Sequence, residues 1–306
     1  MKRILITEFM DEPAVASLRA RFDVRYAPTL AADRAALLQA MPQTDGLIVR
    51  NRTRVDREVL ERATQVRVVG RLGVGLDNID VGACAQRGIQ VIPATGANAL
   101  SVAEYVICSA MLLLRGAYLS TSAVGAGTWP REALSGGREL AGKTLGVVGF
   151  GLIGRTVGKL ARALGMEVCA FDAMLPPDDA SWKEARRLEL DALLASSDVV
   201  TLHVPLTAGT RNLIDAGRLA RMKADAVLIN TARGGVVDEA ALAQALAAGR
   251  LGGAALDVFA AEPLPAGSPL AGAPNLLLTP HIAGLTRESN ERVSTMIAER
   301  VAAALG

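Results

Sequence analysis

Short aliphatic runs alternate with longer amphipathic stretches from one end of the chain to the other. Many runs are apolar on both faces, as at 145–148, which is typical of strands covered on both sides in a parallel sheet. Strands that alternate with helices predict parallel sheets joined by right-handed crossovers. The pattern therefore predicts an α/β fold.

The predicted strands form two series, separated at 93–98, where Pro93, Gly96 and Asn98 interrupt regular structure. The first series covers 3–7, 23–26, 46–49, 67–69 and 89–92, and the second covers 144–148, 167–171, 199–202, 226–229, 253–256 and 276–278. Helices are predicted at 14–20, 34–40, 57–63, 99–118, 153–164, 191–195, 239–248 and, beginning at Thr286, 286–305. Two such series predict two doubly wound parallel-sheet domains.

Composition narrows the class of protein. A length of 306 residues suits two domains. Hydrophobic residues make up 51% of the chain and aromatic residues only 3%, so aliphatic cores are expected. A net charge of +2 gives no general attraction to nucleic acid or to an anionic membrane.

The start of the chain is predicted to be a strand rather than a signal peptide, because Glu8 interrupts its apolar run. The longest apolar run, 102–114, contains Glu104 and falls short of the roughly 20 residues that cross a bilayer. We therefore expect a cytoplasmic protein with neither a membrane nor a nucleic-acid partner. Three cysteines, Cys84, Cys108 and Cys169, are too few and too widely spaced for a disulfide framework or a metal site, and all three are expected to be reduced and buried.

A glycine-rich loop follows the predicted strand 144–148 and opens the next helix. In that context Gly149 permits the tight turn, Gly151 lets a pyrophosphate approach the backbone, and Gly154 lets the helix pack against the sheet. Asp172 ends the following strand, where a carboxylate accepts from ribose hydroxyls and repels a 2′-phosphate. The loop predicts a dinucleotide site that prefers NAD to NADP, with a plain turn as the alternative.

The chain has only two histidines, and either could exchange a proton with the substrate in hydride chemistry. His281 follows the last predicted strand and His203 ends an earlier one, so both lie where doubly wound sheets bind ligands. By position the two residues are rivals, and a structural role is open for each.

Two charged side chains follow neighbouring strands. Arg233 lies beside glycines and could bind a carboxylate bidentately through its guanidinium, or it could pair with Asp238 at the surface. Glu262 lies in a loop bracketed by prolines and could pair with a histidine and raise its pKa, or it could be a solvated acid.

Nearly the whole chain resembles the D-2-hydroxyacid dehydrogenases, a family that includes phosphoglycerate dehydrogenase and glyoxylate/hydroxypyruvate reductase. The resemblance lies in these motifs: GRLGVGLDNID at 70–80, SVAE at 101–104, GKTLG at 142–146 running into the glycine loop, LHVPLT at 202–207, NTARG at 230–234, ALDVF at 255–259 with Glu262 and Pro263, and TPH at 279–281.

The resemblance implies a catalytic trio. Arg233 would bind the substrate carboxylate and the C2 oxygen, His281 would exchange a proton with that oxygen, and Glu262 would keep the imidazole protonated when needed. The substrate carboxylate would also meet backbone amides, those of Gly73, Val74 and Gly75.

The resemblance also implies the cofactor contacts and the domain plan. NAD would meet Asp257 at its nicotinamide amide and Val204 near its adenine. Further expected cofactor contacts are Leu152, Ile153, Thr231, Ala232, His281 and Gly284. A Rossmann NAD domain would cover 98–283, and a smaller, discontinuous, flavodoxin-like substrate domain would cover 1–97 and 284–306.

Assembly and regulation follow from the same resemblance. The long helix that carries Glu104 would help to form a homodimer, with Trp129 either in a dimer arm or in the core. Because the chain stops at Gly306, without the regulatory domain of the long phosphoglycerate dehydrogenases, serine feedback is not expected.

Three arginines follow the third strand in the segment 50–54. Alternation would place Arg50, Arg52 and Arg54 on one side if the segment were extended. In the family the matching loop contacts the distal group of the substrate, and Arg50 is the best positional match. We therefore expect a substrate with a second anionic group, such as 3-sulfolactate, 3-phosphoglycerate or malate, unless the loop is simply solvated.

Other functions fit the same motifs. A glyoxylate or hydroxypyruvate reductase would take a small monoanion instead. A binding protein could use the fold to sense NAD, as related corepressors do, and formate dehydrogenase shares the fold but carries extra segments. The intact trio favours the dehydrogenase.

Overall fold

The computed structural model describes residues 1–306, apart from the side chain of Leu119. The chain divides into two compact units. The first unit comprises Met1–Asn98 and Leu285–Gly306, and the second comprises Ala99–Gly284. Along the described chain, no helix is long and apolar enough to cross a membrane.

The first unit is a five-stranded parallel sheet with helices on both faces. Its strands are β1 (Arg3–Ile6), β2 (Asp23–Tyr26), β3 (Gly46–Val49), β4 (Val68–Arg71) and β5 (Gln90–Pro93). They lie in the order β2-β1-β3-β4-β5, which is the flavodoxin-like order. The helices are α1 (Glu12–Arg19), α2 (Arg34–Ala40), α3 (Arg57–Arg62), α4 (Val81–Gln86) and, from the end of the chain, α11 (Arg287–Leu305).

Alternating side chains give this sheet its two apolar faces. Ile4 and Ile6 on β1 pack on the side of α1 and α11, whereas Leu5 packs on the opposite side with α2 and α3. Helix α11 begins as predicted, because the Thr286 side chain accepts a hydrogen bond from the amide of Ser289 at 3.0 Å.

The second unit is a seven-stranded parallel sheet. Its strands are β6 (Thr144–Val148), β7 (Glu167–Phe171), β8 (Arg186–Arg187), β9 (Val199–Leu202), β10 (Val227–Asn230), β11 (Gly253–Leu256) and β12 (Leu276–Leu278). Its helices are α5 (Ala99–Arg115), α6 (Thr121–Gly125), α7 (Leu152–Ala163), α8 (Leu190–Ser196), α9 (Ala216–Leu219) and α10 (Glu239–Ala247). Both parallel-sheet units confirm the predicted fold class.

The strand order of the second unit fixes where a ligand can bind. It runs β12-β11-β10-β9-β6-β7-β8, so successive strands are added on one side of β6 up to β8 and on its other side from β9 onward, and the strand order reverses between β6 and β9. Helices α5 and α7 cover one face and α8 to α10 cover the other. Ligands of doubly wound sheets bind outside the carboxyl ends of the strands at this reversal, which is the Rossmann arrangement.

Three expectations were wrong in detail. The long helix ends at Arg115, because Gly116 takes a left-handed conformation with φ 66° and a short 3₁₀ turn follows. Cys108 is exposed on α5, while Cys84 and Cys169 are buried as expected. The segment after β3 bends instead of continuing extended, so simple alternation does not place its three arginines.

Candidate active site

The glycine-rich loop between β6 and α7 is shaped by close backbone contacts. Gly149 has φ 93°, and a Cβ there would lie 2.7 Å from the backbone carbonyl of His203, so only glycine fits. A Cβ on Gly151 would meet no atom within 4 Å. The chain itself therefore does not require glycine at 151, and the open space suits a group that approaches the backbone.

The start of α7 can receive an anion. Gly151 is the N-cap and supplies no side-chain cap, so the amides of the first turn keep their capacity to donate. Such amides, with the helix dipole, favour a phosphate. Thr231, just past β10, has a buried hydroxyl oxygen without a hydrogen-bond partner in the protein. The open space at Gly151 would admit a pyrophosphate, and the Thr231 hydroxyl is left to bond a ligand, so these residues fit NAD.

Asp172 lies immediately after β7, where the ribose of a dinucleotide is expected. Its carboxylate accepts from the amide of Phe150 in the glycine loop at 2.8 Å and from the amides of Met174 and Leu175 at 2.8 and 3.2 Å. It also lines a surface cavity of about 480 Å³ together with Arg187. The carboxylate thus organises the loop and keeps an open side.

His281 and Glu262 form the central contact of the candidate site. Their Nδ1 and Oε2 atoms are 2.7 Å apart, and both side chains are partly exposed, at 44% and 36%. The other oxygen of Glu262 accepts from the amide of Phe259 at 3.1 Å, which fixes the carboxylate. Glu262 is therefore the partner of a histidine rather than a solvated acid.

Arg233 follows β10, the strand next to the one that leads to Glu262. Asn230, the buried last residue of β10, accepts from the amide of Ala232 and donates to the carbonyl of Arg233, both at 3.0 Å. A Cβ on Gly234 would lie 1.8 Å from the carbonyl oxygen of Phe259, so the Arg233 turn lies directly against the segment that leads to Glu262. Asp238, the alternative partner of Arg233, uses its carboxylate to cap α10.

The rival histidine has a different environment. His203 Nε2 lies 3.0 Å from the Thr201 hydroxyl, and burial lowers the pKa of His203 to about 3. The imidazole is therefore neutral near pH 7 and is a poor source of a proton. Position in the sequence could not separate the two histidines, whereas their surroundings do.

Sequence reasoning missed the network beneath His281. Asp257 is buried, and its carboxylate accepts from the Thr279 hydroxyl at 2.6 Å and from the amides of Ile282 and Ala283, both at 2.8 Å. Tyr105 on α5 reaches the same hydroxyl of Thr279 at 2.6 Å. A lone tyrosine in an apolar helix gives no signal of such a contact.

The first unit holds the arginine segment around a buried acid. Glu8 is only 4% exposed and accepts from the amides of Arg50, Arg52 and Thr53 at 2.8, 3.0 and 2.9 Å. Asn78 donates to the carbonyls of Arg50 and Thr53, at 3.2 and 2.7 Å. The segment is therefore a fixed bend, which we call the arginine loop, residues 50–54.

The expected carboxylate-binding turn at 73–75 also lies in the first unit. Gly73 has φ 148°, and a Cβ there would overlap the guanidinium of Arg71. The carbonyl of Gly73 accepts from the amide of Ala94 at 2.8 Å. The φ of 148° is what favours glycine at 73, since the guanidinium of Arg71 is the mobile end of a side chain and could move aside. The amide of Gly73 itself donates to the carbonyl of Arg71 at 2.7 Å.

With a dinucleotide loop at the reversal of its sheet and a histidine–carboxylate pair nearby, the second unit has the parts of a nicotinamide-dependent dehydrogenase. The chain belongs to the D-isomer specific 2-hydroxyacid dehydrogenase family, and residues 107–283 match the NAD binding domain of that family. It is accordingly an NAD-dependent 2-hydroxyacid dehydrogenase that acts on a CH–OH group. This activity removes the alternative of a protein that only senses NAD.

Relatives align with the chain over nearly its whole length. The (S)-sulfolactate dehydrogenase of Chromohalobacter salexigens is 56% identical over 100% of this chain and 99% of its own length. A D-3-phosphoglycerate dehydrogenase of Archaeoglobus fulgidus is 40% identical over 98% of this chain, which spans only 56% of that longer relative. A crystal structure of a Thermus thermophilus protein, 37% identical, superposes with a TM-score of 0.90 over 99% of this chain and 96% of that one.

Proposed function

We propose that this dehydrogenase acts on a 2-hydroxy acid with a second, strongly anionic group, and that its substrate is 3-sulfolactate. The arginine loop carries the proposal, because hydrogen bonds to a buried carboxylate fix the backbone from which its three arginines project. The name of the sulfolactate dehydrogenase relative supports the same choice. A sulfonate or phosphate offers several oxygens to the planar donors of a guanidinium.

Arg50 is the best candidate for contact with the distal anion. Its Nη2 donates to Asn290 Oδ1 at 2.7 Å, and its guanidinium lies 5.9 Å from the centre of the Phe9 ring. Burial lowers the pKa of Arg50, and the negative charge of Glu8 partly offsets that effect. A guanidinium stays charged at neutral pH in any case. Arg50 thus offers an oriented cation, while Arg52 and Arg54 are more exposed.

The second unit would supply the chemistry of the reaction. NAD, when bound, supplies a hydride acceptor or donor for C2 of the substrate. Glu262 accepts through Oε2, and a carboxylate can only accept, so Nδ1 of His281 carries the hydrogen. Nε2 of His281 is then the position that takes the hydroxyl proton during oxidation and returns it during reduction. Arg233 would hold the substrate carboxylate and the C2 oxygen.

The two units would have different roles. We assign the NAD domain to the second unit and the substrate domain to the first, which would supply Arg50 and the backbone amides of Gly73, Val74 and Gly75. In the second unit, the cofactor contacts would come from Leu152, Ile153, Val204, Ala232, Asp257, His281 and Gly284, together with the glycine loop, Asp172 and Thr231.

We also propose a homodimer. Helix α5 presents exposed Leu100 and Met111, and the segment that follows presents exposed Tyr118 and Trp129. Trp129 is 76% exposed, so the alternative of a core tryptophan is wrong. Exposed large apolar side chains grouped on consecutive elements favour an interface. A cytoplasmic location is part of the proposal and is supported by three free cysteines.

Steady-state kinetics with purified protein test the substrate. The panel comprises sulfolactate, 3-phosphoglycerate, malate, lactate and glyoxylate, each with NAD or NADH as the direction requires. We expect the highest kcat/KM with sulfolactate. A preference for 3-phosphoglycerate would keep the second anion site and change its ligand, whereas faster turnover of lactate or glyoxylate than of any dianion would remove that site from the proposal.

Arg50→Ala tests the residue. We expect KM for the dianionic substrate to rise roughly 10- to 100-fold, as for the loss of a hydrogen bond to a charged group, with little change for glyoxylate. Arg25→Ala, an exposed arginine on β2, is the matched control and should change neither constant. An equal loss for both substrates would show that Arg50 supports the fold instead.

A further inference from the structure

Asp257 is a buried acidic residue whose side chain accepts hydrogen bonds from the segment around the proposed catalytic histidine. Its side chain is 1% exposed and receives the Thr279 hydroxyl and the amides of Ile282 and Ala283. Its own carbonyl also accepts from the amide of His281 at 2.8 Å. The residues on both sides of His281, and His281 itself, are therefore tied to Asp257.

The direction of the hydrogen bonds in this network follows from its chemistry. Thr279 has a single hydroxyl hydrogen, and the carboxylate of Asp257 can only accept, so Thr279 donates to Asp257. The contact between Thr279 and Tyr105 then requires Tyr105 to donate. Burial raises the pKa of Tyr105, which keeps its phenol protonated and able to do so. A chain of donors thus runs from α5 through Thr279 to Asp257.

The segment needs such support because of the backbone at His281. This residue has φ 55°, in the left-handed region that residues with a side chain rarely occupy. A conformation of this kind persists when its surroundings over-determine it, and such conformations cluster at functional sites. From there His281 directs Nδ1 at Glu262. A loosened segment would relax toward other backbone angles and turn the imidazole away.

We propose that Tyr105, Thr279 and Asp257 are positioning residues that hold His281 in its left-handed conformation and so aim its imidazole at the C2 oxygen of the substrate. This inference rests on the proposed proton-transfer role of His281. The Tyr105 hydroxyl donates to Thr279, and the Thr279 hydroxyl donates to Asp257. The side chain of Asp257 in turn holds the amides of the two residues after His281. Tyr105 does not itself touch substrate or cofactor in this proposal.

Variants that remove one hydroxyl test the chain. Tyr105→Phe and Thr279→Val should each lower kcat about 3- to 10-fold, the effect of roughly one neutral hydrogen bond. Since Tyr105 bonds neither His281 nor Asp257, KM for NAD should stay unchanged in Tyr105→Phe. Thr279→Ser keeps the hydroxyl and should restore kcat. Tyr26→Phe is the matched control, because Tyr26 is also partly buried and bonds the backbone of Met10, in the first unit; its kcat should equal that of the wild type.

A double-variant cycle separates positioning from general support of the fold. His281→Ala alone should lower kcat by roughly 10²- to 10⁴-fold, the range for general acid–base catalysis. Tyr105→Phe should then have no further effect on kcat in that background, because its route to the reaction has gone. Independent effects in the cycle, or a Tyr105→Phe variant that matches Tyr26→Phe, would overturn the positioning role. Near-normal turnover by His281→Ala would instead overturn the proposed role of His281.

Discussion

At the scale of single residues, one hydrogen bond determines which imidazole nitrogen remains available. Glu262 occupies Nδ1 of His281, so in the proposed mechanism Nε2 is the nitrogen that would face the substrate. His203 has the opposite arrangement, with Nε2 at the Thr201 hydroxyl and a pKa lowered by burial to about 3. The two histidines thus have different surroundings, and only those of His281 suit the proposed proton exchange.

Asp172 gives a residue-scale prediction about the cofactor. Asp172→Asn keeps the shape and one acceptor oxygen but removes the charge that repels a 2′-phosphate. We expect the preference for NAD over NADP, measured as a ratio of kcat/KM values, to fall by about 10- to 100-fold, since hydrogen bonds to a charged group contribute roughly 1.5–3 kcal/mol.

Asp178→Asn is the control for this prediction, because Asp178 is an exposed acid six positions further along the same loop. It should leave the ratio unchanged. A wild-type enzyme that uses NADPH as well as NADH would contradict the assignment and would direct attention to Arg155 or another cation near the loop.

At the scale of elements, hydrophobic periodicity predicted most strands and several helices to within a residue or two. It missed β8, because Arg186–Arg187 carries no apolar signal, and the short helices α4, α6 and α9, which have too few turns to show a period. The glycine loop could be predicted because its glycines directly follow one strand and precede one helix in the sequence. The network of Tyr105, Thr279 and Asp257 joins elements far apart in sequence, so no local pattern could predict it.

The arginine loop shows the same limit and gives an element-scale prediction. Burial alone would raise the pKa of Glu8, but the backbone amides of Thr53, Arg50 and Arg52 outweigh it and leave that pKa lowered, so the acid stays ionised. Glu8→Gln replaces one acceptor with a donor that faces an amide. We expect the loop to loosen, KM for the dianionic substrate to rise several-fold and kcat with glyoxylate to change little.

Glu12→Gln serves as the comparison for Glu8, because Glu12 is an exposed acid paired with Arg19 on α1. Exposed pairs of this kind contribute little, so this variant should behave like the wild type. If Glu8→Gln left KM for every substrate unchanged, the fixed bend would have no part in recognising the distal anion.

At the scale of the whole molecule, both units are all-parallel sheets, yet their strand orders differ. Runs of apolar residues predict strands but carry no record of which strands are neighbours. The family resemblance supplied that expectation, and the sheets bear it out with a flavodoxin-like order in one unit and a Rossmann order in the other. The reversal in the second unit leaves His203, directly after β9, against Gly149 in the glycine loop.

This placement of His203 has a consequence for the stability of the molecule in acid. Its pKa is about 3 in the folded chain and near 6.5 when exposed, so between these values the unfolded chain binds a proton that the folded chain does not. The free energy of unfolding must then fall as pH decreases, by up to about 1.4 kcal/mol per pH unit for one such proton. Glu8 and Asp198, whose pKa values are also lowered, add to the loss at still lower pH.

Urea unfolding midpoints measured without NAD from pH 8 to pH 4.5 should therefore decline below about pH 6.5. His203→Gln keeps a polar contact for Thr201 without a titrating group, and its midpoint should be nearly flat above pH 5. An equally steep decline in that variant would assign the acid sensitivity to groups other than His203.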